Sequence, residues 1–341
     1  MWVKLVNHLI TRENWFKQEF GFVESNYTYE QVRNLFEWDS SNFILKSNCN
    51  QKEFYVGPFT TPTIKDLTIT YQELSNNSKP KSGLKFQTIT NSVQSLINNK
   101  LNEGSIFQVA SQFNCLEMIN PLKKPEDGIS DYEHDKTQGP ACALSCPAAT
   151  VYRNYFLNYD EKTKVCRQIN LLENIEKYVN NEENQYWVMK NGYSMAGANF
   201  SRLKSDIENK IISSETLMEN LKIGIHWQTD VCQNSHRICQ VFCSALPVAY
   251  NSQNIEEWEC FARLILEGFY KGLLLVGGIS ALQKKKKVKV FLTLLGGGAF
   301  GNPKEWILEA IEKSLQVVDK DLIDVYLVDY GGKTNIASFM D

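Results

Sequence analysis

The sequence contains few histidines and no long apolar run, and these two absences exclude whole classes of protein. Four histidines among 341 residues are too few to accompany the pairs Cys142/Cys146 and Cys239/Cys243 in zinc sites. We therefore expect these cysteines to be small, buried, apolar side chains. No run approaches the roughly 18 apolar residues of a membrane span, because even residues 268–279 are short and interrupted by glycine. The sequence thus predicts neither a zinc protein nor a membrane protein.

An excess of positive charge and a disulfide framework are also absent. The formal net charge is -3, and the basic run 284–287 has the composition of a solvated loop, so no nucleic-acid partner is expected. Nine cysteines cannot all pair within one chain, which indicates reduced thiols. The first residues, MWVKLVNHLITREN, lack the apolar core of a signal peptide. These features predict a cytoplasmic location.

Three common catalytic motifs are missing as well. The sequence has no G-x-x-x-x-G-K-[ST] loop, no G-x-S-x-G elbow and no H-E-x-x-H pair. Its late GGGAFG stretch lacks the spacing and the early position of a dinucleotide-binding fingerprint. We therefore expect no obligatory redox cofactor and no resident metal.

The most informative feature that is present is a glycine triplet at the end of an apolar run. A strand is predicted over 288–295, and Gly296, Gly297 and Gly298 follow it directly. Glycines bring the backbone close to a ligand because no Cβ intervenes. Their N–H groups, with a helix predicted to start near Pro303, favour an anion. The pattern predicts a phosphate cradle, with a plain turn as the alternative.

Strands alternate with helices toward the C-terminus, which predicts an α/β sheet covered on both faces. Ligands bind such sheets beyond the carboxyl ends of the strands. Gln112 and Asn114 end a strand predicted over 103–113, so we expect them to share one crevice with the glycine triplet and to bond ribose hydroxyls; turn capping is the alternative. The predicted organisation is an N-terminal extension, 1–53, packed on one catalytic domain, 54–341, with an insertion around 158–221.

Residues 126–135 form an acidic loop with five carboxylates, Glu126, Asp127, Asp131, Glu133 and Asp135. Crowded carboxylates favour a neutralising partner, which leaves a metal ion, a bound guanidinium or ammonium group, or water. The spacing does not match an EF-hand. The loop runs into a helix predicted to start around 137–140, whose N-terminus is a second seat for phosphate. A solvated acidic loop is the alternative.

Three segments together carry a family resemblance. They are VASQFNCLEM at 109–118, PEDGISDYEHDKTQGPACA at 125–143 and LLGGGAFGNP at 294–303. The set resembles a divergent macrodomain, close to the arginine-specific ADP-ribosylhydrolases. The resemblance implies a macrodomain-like three-layer α/β/α sandwich with a mixed sheet. It also implies that Asn114 contacts the distal ribose, that Gln138 and Gly139 cover the diphosphate, and that residues 298–301 close over it.

The predicted sites follow from the spacing and the resemblance together. The predicted ADP-ribose-binding residues are Gln112, Asn114, Thr137, Gln138, Gly139, Gly296, Gly297, Gly298, Ala299, Phe300, Gly301 and Asn302. The predicted catalytic residues are Asp127, Glu133 and Asp135, with Asp131 as a further candidate. Carboxylates grip a guanidinium bidentately, and a second carboxylate orients water toward an anomeric carbon.

The resemblance therefore implies a monomeric hydrolase that removes ADP-ribose from modified protein arginine. Its partners would be an ADP-ribosylated protein and ADP-ribose itself, without nucleic acid or membrane. Three alternatives stay open. The first is a non-enzymatic ADP-ribose reader. The second is a hydrolase of another ADP-ribose linkage or of a free ADP-ribose derivative, with or without a divalent metal in the acidic loop. The third is a scaffold with an inactive pocket that binds a protein through its tryptophan-rich N-terminal extension.

Overall fold

The computed structural model describes residues 15–76, 84–232 and 236–330, and its centre is a seven-stranded mixed sheet. The described strands are β1 (Phe36–Asp39), β2 (Ile44–Ser47), β3 (Glu53–Tyr55), β4 (Phe59–Thr60), β5 (Phe86–Ile89), β6 (Ile106–Ala110), β7 (Tyr159–Asp160), β8 (Val165–Cys166), β9 (Trp187–Lys190), β10 (Tyr193–Ala196), β11 (Gly224–Asp230), β12 (Arg237–Cys243), β13 (Val288–Leu292) and β14 (Ile323–Val328).

The sheet has the order β4-β11-β12-β6-β13-β14-β5. The run from β12 to β5 is parallel, whereas β11 pairs antiparallel with both of its neighbours, β12 and β4. The described α-helices are α1 (Trp15–Phe20), α2 (Tyr29–Asn34), α3 (Ile64–Leu74), α4 (Val93–Asn98), α5 (Gln138–Ser145), α6 (Pro147–Tyr155), α7 (Glu173–Tyr178), α8 (Phe200–Glu208), α9 (Ser214–Asn220), α10 (Ile255–Lys284) and α11 (Lys304–Ser314).

Alternating side chains of the central strands face two helical layers. A Cβ added at Gly277 of α10 would lie 2.8 Å from Val290, so α10 packs closely on that face. The next residue, Phe291, points to the opposite face and stacks on Phe107. On that face Gln240, which is in register with Phe107, donates a hydrogen bond to Cys142 O of α5. The predicted three-layer α/β/α sandwich with a mixed sheet is thus confirmed.

Helix α10 is the centre of one layer. It has 30 residues, contacts α3, α8, α9 and α11, and by length and composition alone could cross a membrane. However, 83% of its most apolar stretch is buried inside the protein. Burial on all sides by neighbouring helices and the sheet explains the composition of this helix.

The predicted helix after residue 141 is broken in two. Helix α5 ends at Ser145, and α6 begins with Pro147 as its first residue. Proline has no N–H to donate and favours a first helical position, so the chain turns at Cys146.

The predicted strand over 103–113 is also shorter than expected. Its pairing with β12 ends at Ala110, and the chain then turns back through Cys115, which has a positive φ of 61°.

The described part of the N-terminal extension packs through an aromatic core of its own. Phe16, Phe20 and Phe36 lie edge to face, with ring centroids 4.8 to 6.3 Å apart. This cluster also contains Val151 and Tyr155 of α6. Residues 1–14, including Trp2, lie outside the described residues. The boundary between 1–53 and 54–341, like the insertion at 158–221, stays a prediction.

A buried ion pair joins the loop after β6 to α6. Both carboxylate oxygens of Glu117 lie 3.1 and 3.3 Å from Nη2 of Arg153, and the Arg153 Nε donates to Cys115 O at 2.9 Å. Neither side chain is exposed by more than 1%. Burial raises the pKa of Glu117 to about 7, although the Arg153 guanidinium opposes the shift. Folding therefore takes up protons between pH 4.5 and about 7.

We expect E117Q to flatten the pH dependence of stability. The raised pKa means that the contribution of Glu117 is fully present below pH 4.5 and is lost as the pH rises through about 7. The free energy of urea unfolding, measured at pH 5 and pH 8, should fall less in E117Q than in the wild type, by up to about 3 kcal/mol. E182Q, at an exposed position, is the control. An equal fall in wild type and E117Q would contradict this assignment.

Candidate functional site

A cleft with a cavity volume of about 170 Å³ opens at the carboxyl edge of the parallel strands. Its walls are the ends of β6 and β13, the start of α5, the segment after β12 and the glycine loop at 294–301. The lining residues are Ala110, Ser111, Gln112, Glu117, Met118, Ile119, Asp135, Thr137, Gln138, Gly139, Pro140, Tyr193, Ala245, Tyr250, Thr293, Leu294, Leu295, Gly296, Gly298, Ala299 and Phe300. The end of β6 and the glycine loop thus line the same cleft, although about 180 residues separate them in sequence.

The N-terminus of α5 forms one wall. Thr137 is the residue before the helix, and its N–H donates to Asp135 Oδ1 at 2.8 Å. The first-turn N–H groups of Gln138 and Gly139 have no partner within the helix. A Cβ at Gly139 would lie 2.0 Å from Ala110 O, so only glycine lets the helix start so close to β6. The wall therefore offers backbone donors and the positive end of a helix dipole to an anion.

The side chain of Gln138 does not point into the cleft as a ligand group. Its Oε1 accepts from Ala110 N, and its Nε2 donates to Gln108 O, both at 2.7 Å. Both ends of the amide are therefore used by the backbone of β6. What Gln138 can present to a ligand is its backbone N–H.

The glycine loop forms the opposite wall. Gly296 has φ +73°, and a Cβ there would lie 2.3 Å from the Cβ of Ala245. Asn302 N donates to Gly296 O at 3.0 Å, and Asn302 Nδ2 donates to Leu246 O at 2.9 Å, so Asn302 holds the loop from behind. Nothing lies within 4 Å of a Cβ at Gly298, which lines the cleft. Among the predicted loop residues, Gly297, Gly301 and Asn302 do not line the cleft.

Three aromatic rings close one side of the cleft. The ring centroids of Tyr193, Tyr250 and Phe300 lie 5.4 to 5.7 Å apart. Tyr193 OH donates to Met118 O at 2.7 Å and accepts from Gln112 Nε2 at 3.3 Å. Burial raises the pKa of Tyr193, and the neighbouring Tyr250 and Asp135 add to the rise. The Oε1 of Gln112 is buried without a hydrogen-bond partner.

Sequence reasoning missed Tyr193 and Tyr250, although a signal for one of them was present. Asn191 and Gly192, both with φ > 0, make the two-residue turn between β9 and β10. An Asn-Gly pair is the strongest short hairpin signal. The turn is held against the loop after β6, because Phe113 N donates to Gly192 O and Asn191 Nδ2 donates to Pro121 O. This docking brings Tyr193 into the cleft.

Of the four predicted catalytic carboxylates, the structure places only Asp135 in the cleft. Asp127 Oδ2 accepts from Lys124 N at 2.9 Å in an exposed turn. Asp131 pairs with Lys123 at 2.8 Å. Glu133 lies 3.5 Å from His134 and lines a separate depression beside Trp15. The acidic loop therefore does not converge on one ligand.

A carboxylate from the N-terminal extension determines how the acidic loop is oriented. Glu24 accepts from Ile129 N and Ser130 N, with distances down to 2.6 Å, and from Tyr155 OH at 2.7 Å. Burial raises the pKa of Glu24, whereas these donors lower it. A Cβ at Gly128, with φ +82°, would lie 2.6 Å from Glu24 Oε2. The loop thus wraps around Glu24, and of its five carboxylates only Asp135 lines the cleft.

Asn114 also lies outside the cleft. It lines a small recess with Arg153, Asn154 and Gln168, and its Nδ2 donates to Gln168 Oε1 at 2.9 Å. Its Oδ1 accepts from Leu116 N, which is the turn-capping role. Glu117, farther along the same loop, lines the cleft instead. A lone glutamate in an apolar stretch gave no sequence signal for this position.

Residues 15–76, 84–232 and 236–330 contain no group of three or more His, Cys, Asp or Glu side chains arranged to hold a metal ion. The pairs Cys142/Cys146 and Cys239/Cys243 are buried free thiols, and His226 is buried between aromatic rings.

Comparisons with known proteins find similarity only at the level of solved structures. No protein-family model matches the sequence, and no curated protein matches it. Poly(ADP-ribose) glycohydrolase from Thermomonospora curvata is similar with a TM-score of 0.45 and 9% identity, over 90% of this chain and 94% of that chain. The same enzyme bound to the inhibitor ADP-HPD gives a TM-score of 0.44 and 9% identity, over 90% and 94%.

A poly(ADP-ribose) glycohydrolase variant from Deinococcus radiodurans in complex with ADP-ribose has a TM-score of 0.42 and 8% identity, over 82% of this chain and 92% of that chain. At these identities and TM-scores the similarities carry no argument about activity. No arginine-specific macrodomain is found among the similar structures, so the resemblance to that group was wrong. Of the five carboxylates in the acidic loop, only Asp135 lines the cleft.

Proposed function

We propose that this protein binds ADP-ribose in the cleft and hydrolyses a glycosidic bond to it. The observation that carries the proposal is that Asp135 lines the same cleft as two backbone walls suited to phosphate, while the buried carboxylate of Glu117 lies in the floor of that cleft. Glycosidic bonds are commonly cleaved by a pair of carboxylates, because the transition state carries positive charge on the sugar. The proposal covers the class of ligand and reaction, and it rests on the site.

Two parts of the cleft suit parts of ADP-ribose. The first-turn N–H groups at Gln138 and Gly139 and the loop at Gly296 and Gly298 line the same cleft, which suits a diphosphate. The aromatic wall offers flat apolar faces for a base or a sugar.

The two carboxylates have different surroundings and therefore different roles. Asp135 is partly exposed at the cleft. Its Oδ1 accepts a hydrogen bond from Thr137 N, and this backbone contact fixes the orientation of the carboxylate, including that of Oδ2. We assign to Asp135 the orientation of the attacking water. Glu117 lies in the floor and is held by Arg153, so it acts as a fixed group beneath the sugar.

The positions of the acidic-loop carboxylates bear on which glycosidic linkage is cleaved. A guanidinium clamp built from several carboxylates would need Asp127, Asp131 and Glu133 in the cleft, and these three lie elsewhere. Arginine-linked ADP-ribose is therefore one substrate to test among several. A protein substrate, a monomeric state and a cytoplasmic location stay predictions.

Release of ADP-ribose should be measured from arginine-, serine- and glutamate-modified proteins and from free poly(ADP-ribose), beside calorimetric titration of ADP-ribose. We expect binding and release from at least one substrate, unchanged by EDTA. Binding without release from all four would identify a reader. Loss of activity in EDTA would favour the metal-dependent alternative, and absence of binding would refute the proposal.

D135N should lower the turnover number by about 100-fold or more, since positioned acid-base groups contribute on that scale. Its melting temperature and ADP-ribose affinity should change little, because the oxygen of the substituted amide still accepts from Thr137 N. D127N is the matched control, from the same loop but outside the cleft, and should retain turnover within about twofold. Equal activity of D135N and wild type would remove Asp135 from the mechanism.

The two loop glycines should respond differently to alanine. G296A forces φ +73° and a close approach to Ala245, so it should destabilise the protein by about 2 kcal/mol. G298A has free space and should leave the melting temperature unchanged, while its methyl group weakens ADP-ribose binding about tenfold. Wild-type affinity in G298A would show that the ligand does not touch this loop.

A further inference from the structure

Strands β6 and β13 stop pairing just where the cleft opens. Their ladder contains only the pairs Val290↔Ile106 and Phe291↔Phe107. On the other side of β6, pairing with β12 continues to Cys243↔Ala110. The backbone groups of β6 that would face β13 beyond Phe107 therefore lack strand partners, and buried backbone groups without partners are costly.

Two glutamine side chains replace the missing ladder, and we call them the amide bridge (Gln108 and Gln138). Gln138 Oε1 accepts from Ala110 N, and Gln138 Nε2 donates to Gln108 O, both at 2.7 Å. From the other side Gln108 Oε1 accepts from Thr293 N, the first residue beyond β13, at 2.8 Å. The amide bridge thus satisfies both strands while it keeps them apart.

The amide bridge also determines where α5 begins. Gln138 is the first residue of α5, so two short hydrogen bonds from its side chain hold the helix start against β6. Gly139 permits this approach, because a Cβ would lie 2.0 Å from Ala110 O. The free N–H groups of the first turn are consequently held at the cleft wall.

We propose that Gln138 is a positioning residue that orients the N-terminus of α5 toward the diphosphate, and this inference rests on the proposed function. Its side chain acts through the helix start and does not touch the ligand. Only an amide of this length offers one acceptor to Ala110 N–H and one donor to Gln108 C=O at the same time. A carboxylate would place an acceptor against the Gln108 carbonyl, and an apolar side chain would leave both backbone groups unpaired.

The test compares Q138M with Q240M by calorimetric titration of ADP-ribose and of adenosine, which lacks the diphosphate. Gln240 is a matched control, because it is also a buried glutamine that bonds α5, at Cys142 O, but it does not line the cleft. Q138M should weaken ADP-ribose binding by about tenfold or more and adenosine binding by less than about twofold. Q240M should change neither ligand by more than about twofold.

A second measurement does not depend on the ligand. Amide hydrogen exchange at Ala110 should accelerate about tenfold or more in Q138M relative to Q240M, because its acceptor is lost. Equal weakening of both ligands in Q138M, or unchanged exchange at Ala110, would overturn the inference. Wild-type protein that binds no ADP-ribose would refute the proposed function, whereas the exchange comparison would still decide whether Gln138 holds the helix start.

Should Q138M fail to fold, Q138E takes its place. It keeps the acceptor for Ala110 N–H and loses the donor to Gln108 O, so the same selective loss of ADP-ribose affinity is expected. Unchanged selectivity between ADP-ribose and adenosine in Q138E would contradict the inference.

Discussion

The separation of β6 from β13 after one short stretch of pairing is the constraint on which the site depends. A parallel sheet that stayed paired to its carboxyl edge would leave no room for α5 to enter or for a ligand to bind. The stacked rings of Phe107 and Phe291, 4.5 Å apart, mark the last point of contact between the two strands. Beyond them, glutamine amides take over the hydrogen bonds that the strands no longer make. The cleft is therefore an opening in the sheet at which Gln108 and Gln138 bond the backbone groups that the two strands leave unpaired.

The N-terminal extension contributes to the site from a distance. Glu24 is the acceptor around which residues 128–130 wrap, and it binds backbone N–H groups and a tyrosine hydroxyl where it is buried. A buried carboxylate is stable only with such donors. With the loop held in this way, Lys123 and Lys124 satisfy Asp131 and Asp127 on the outside. The acidic composition of the loop thus reflects several separate local contacts, and one of its carboxylates reaches the cleft.

Buried charge lies directly under the cleft in the pair of Glu117 and Arg153. Arg153 is also held by Cys115 O and lies 4.1 Å from the ring centroid of Phe242, so its position is determined from three sides. A carboxylate that is desolvated and fixed in this manner loses little further solvation when a ligand covers it. The same burial makes the free energy of unfolding depend on the protonation of Glu117.

The sequence by itself determined an α/β sheet covered on both faces, the strand before the glycine triplet and a helix start within 137–140, because periodicity, glycine and proline act over a few residues. The sequence also predicted that the end of β6 and the glycine loop share one crevice, because the carboxyl ends of parallel strands lie at one edge of a sheet. Which carboxylates face the cleft was decided only by the tertiary structure. Glu24 acts on a loop 105 residues away, and Tyr193 arrives on a hairpin docked against another loop. Such contacts join distant segments, and no local pattern records them.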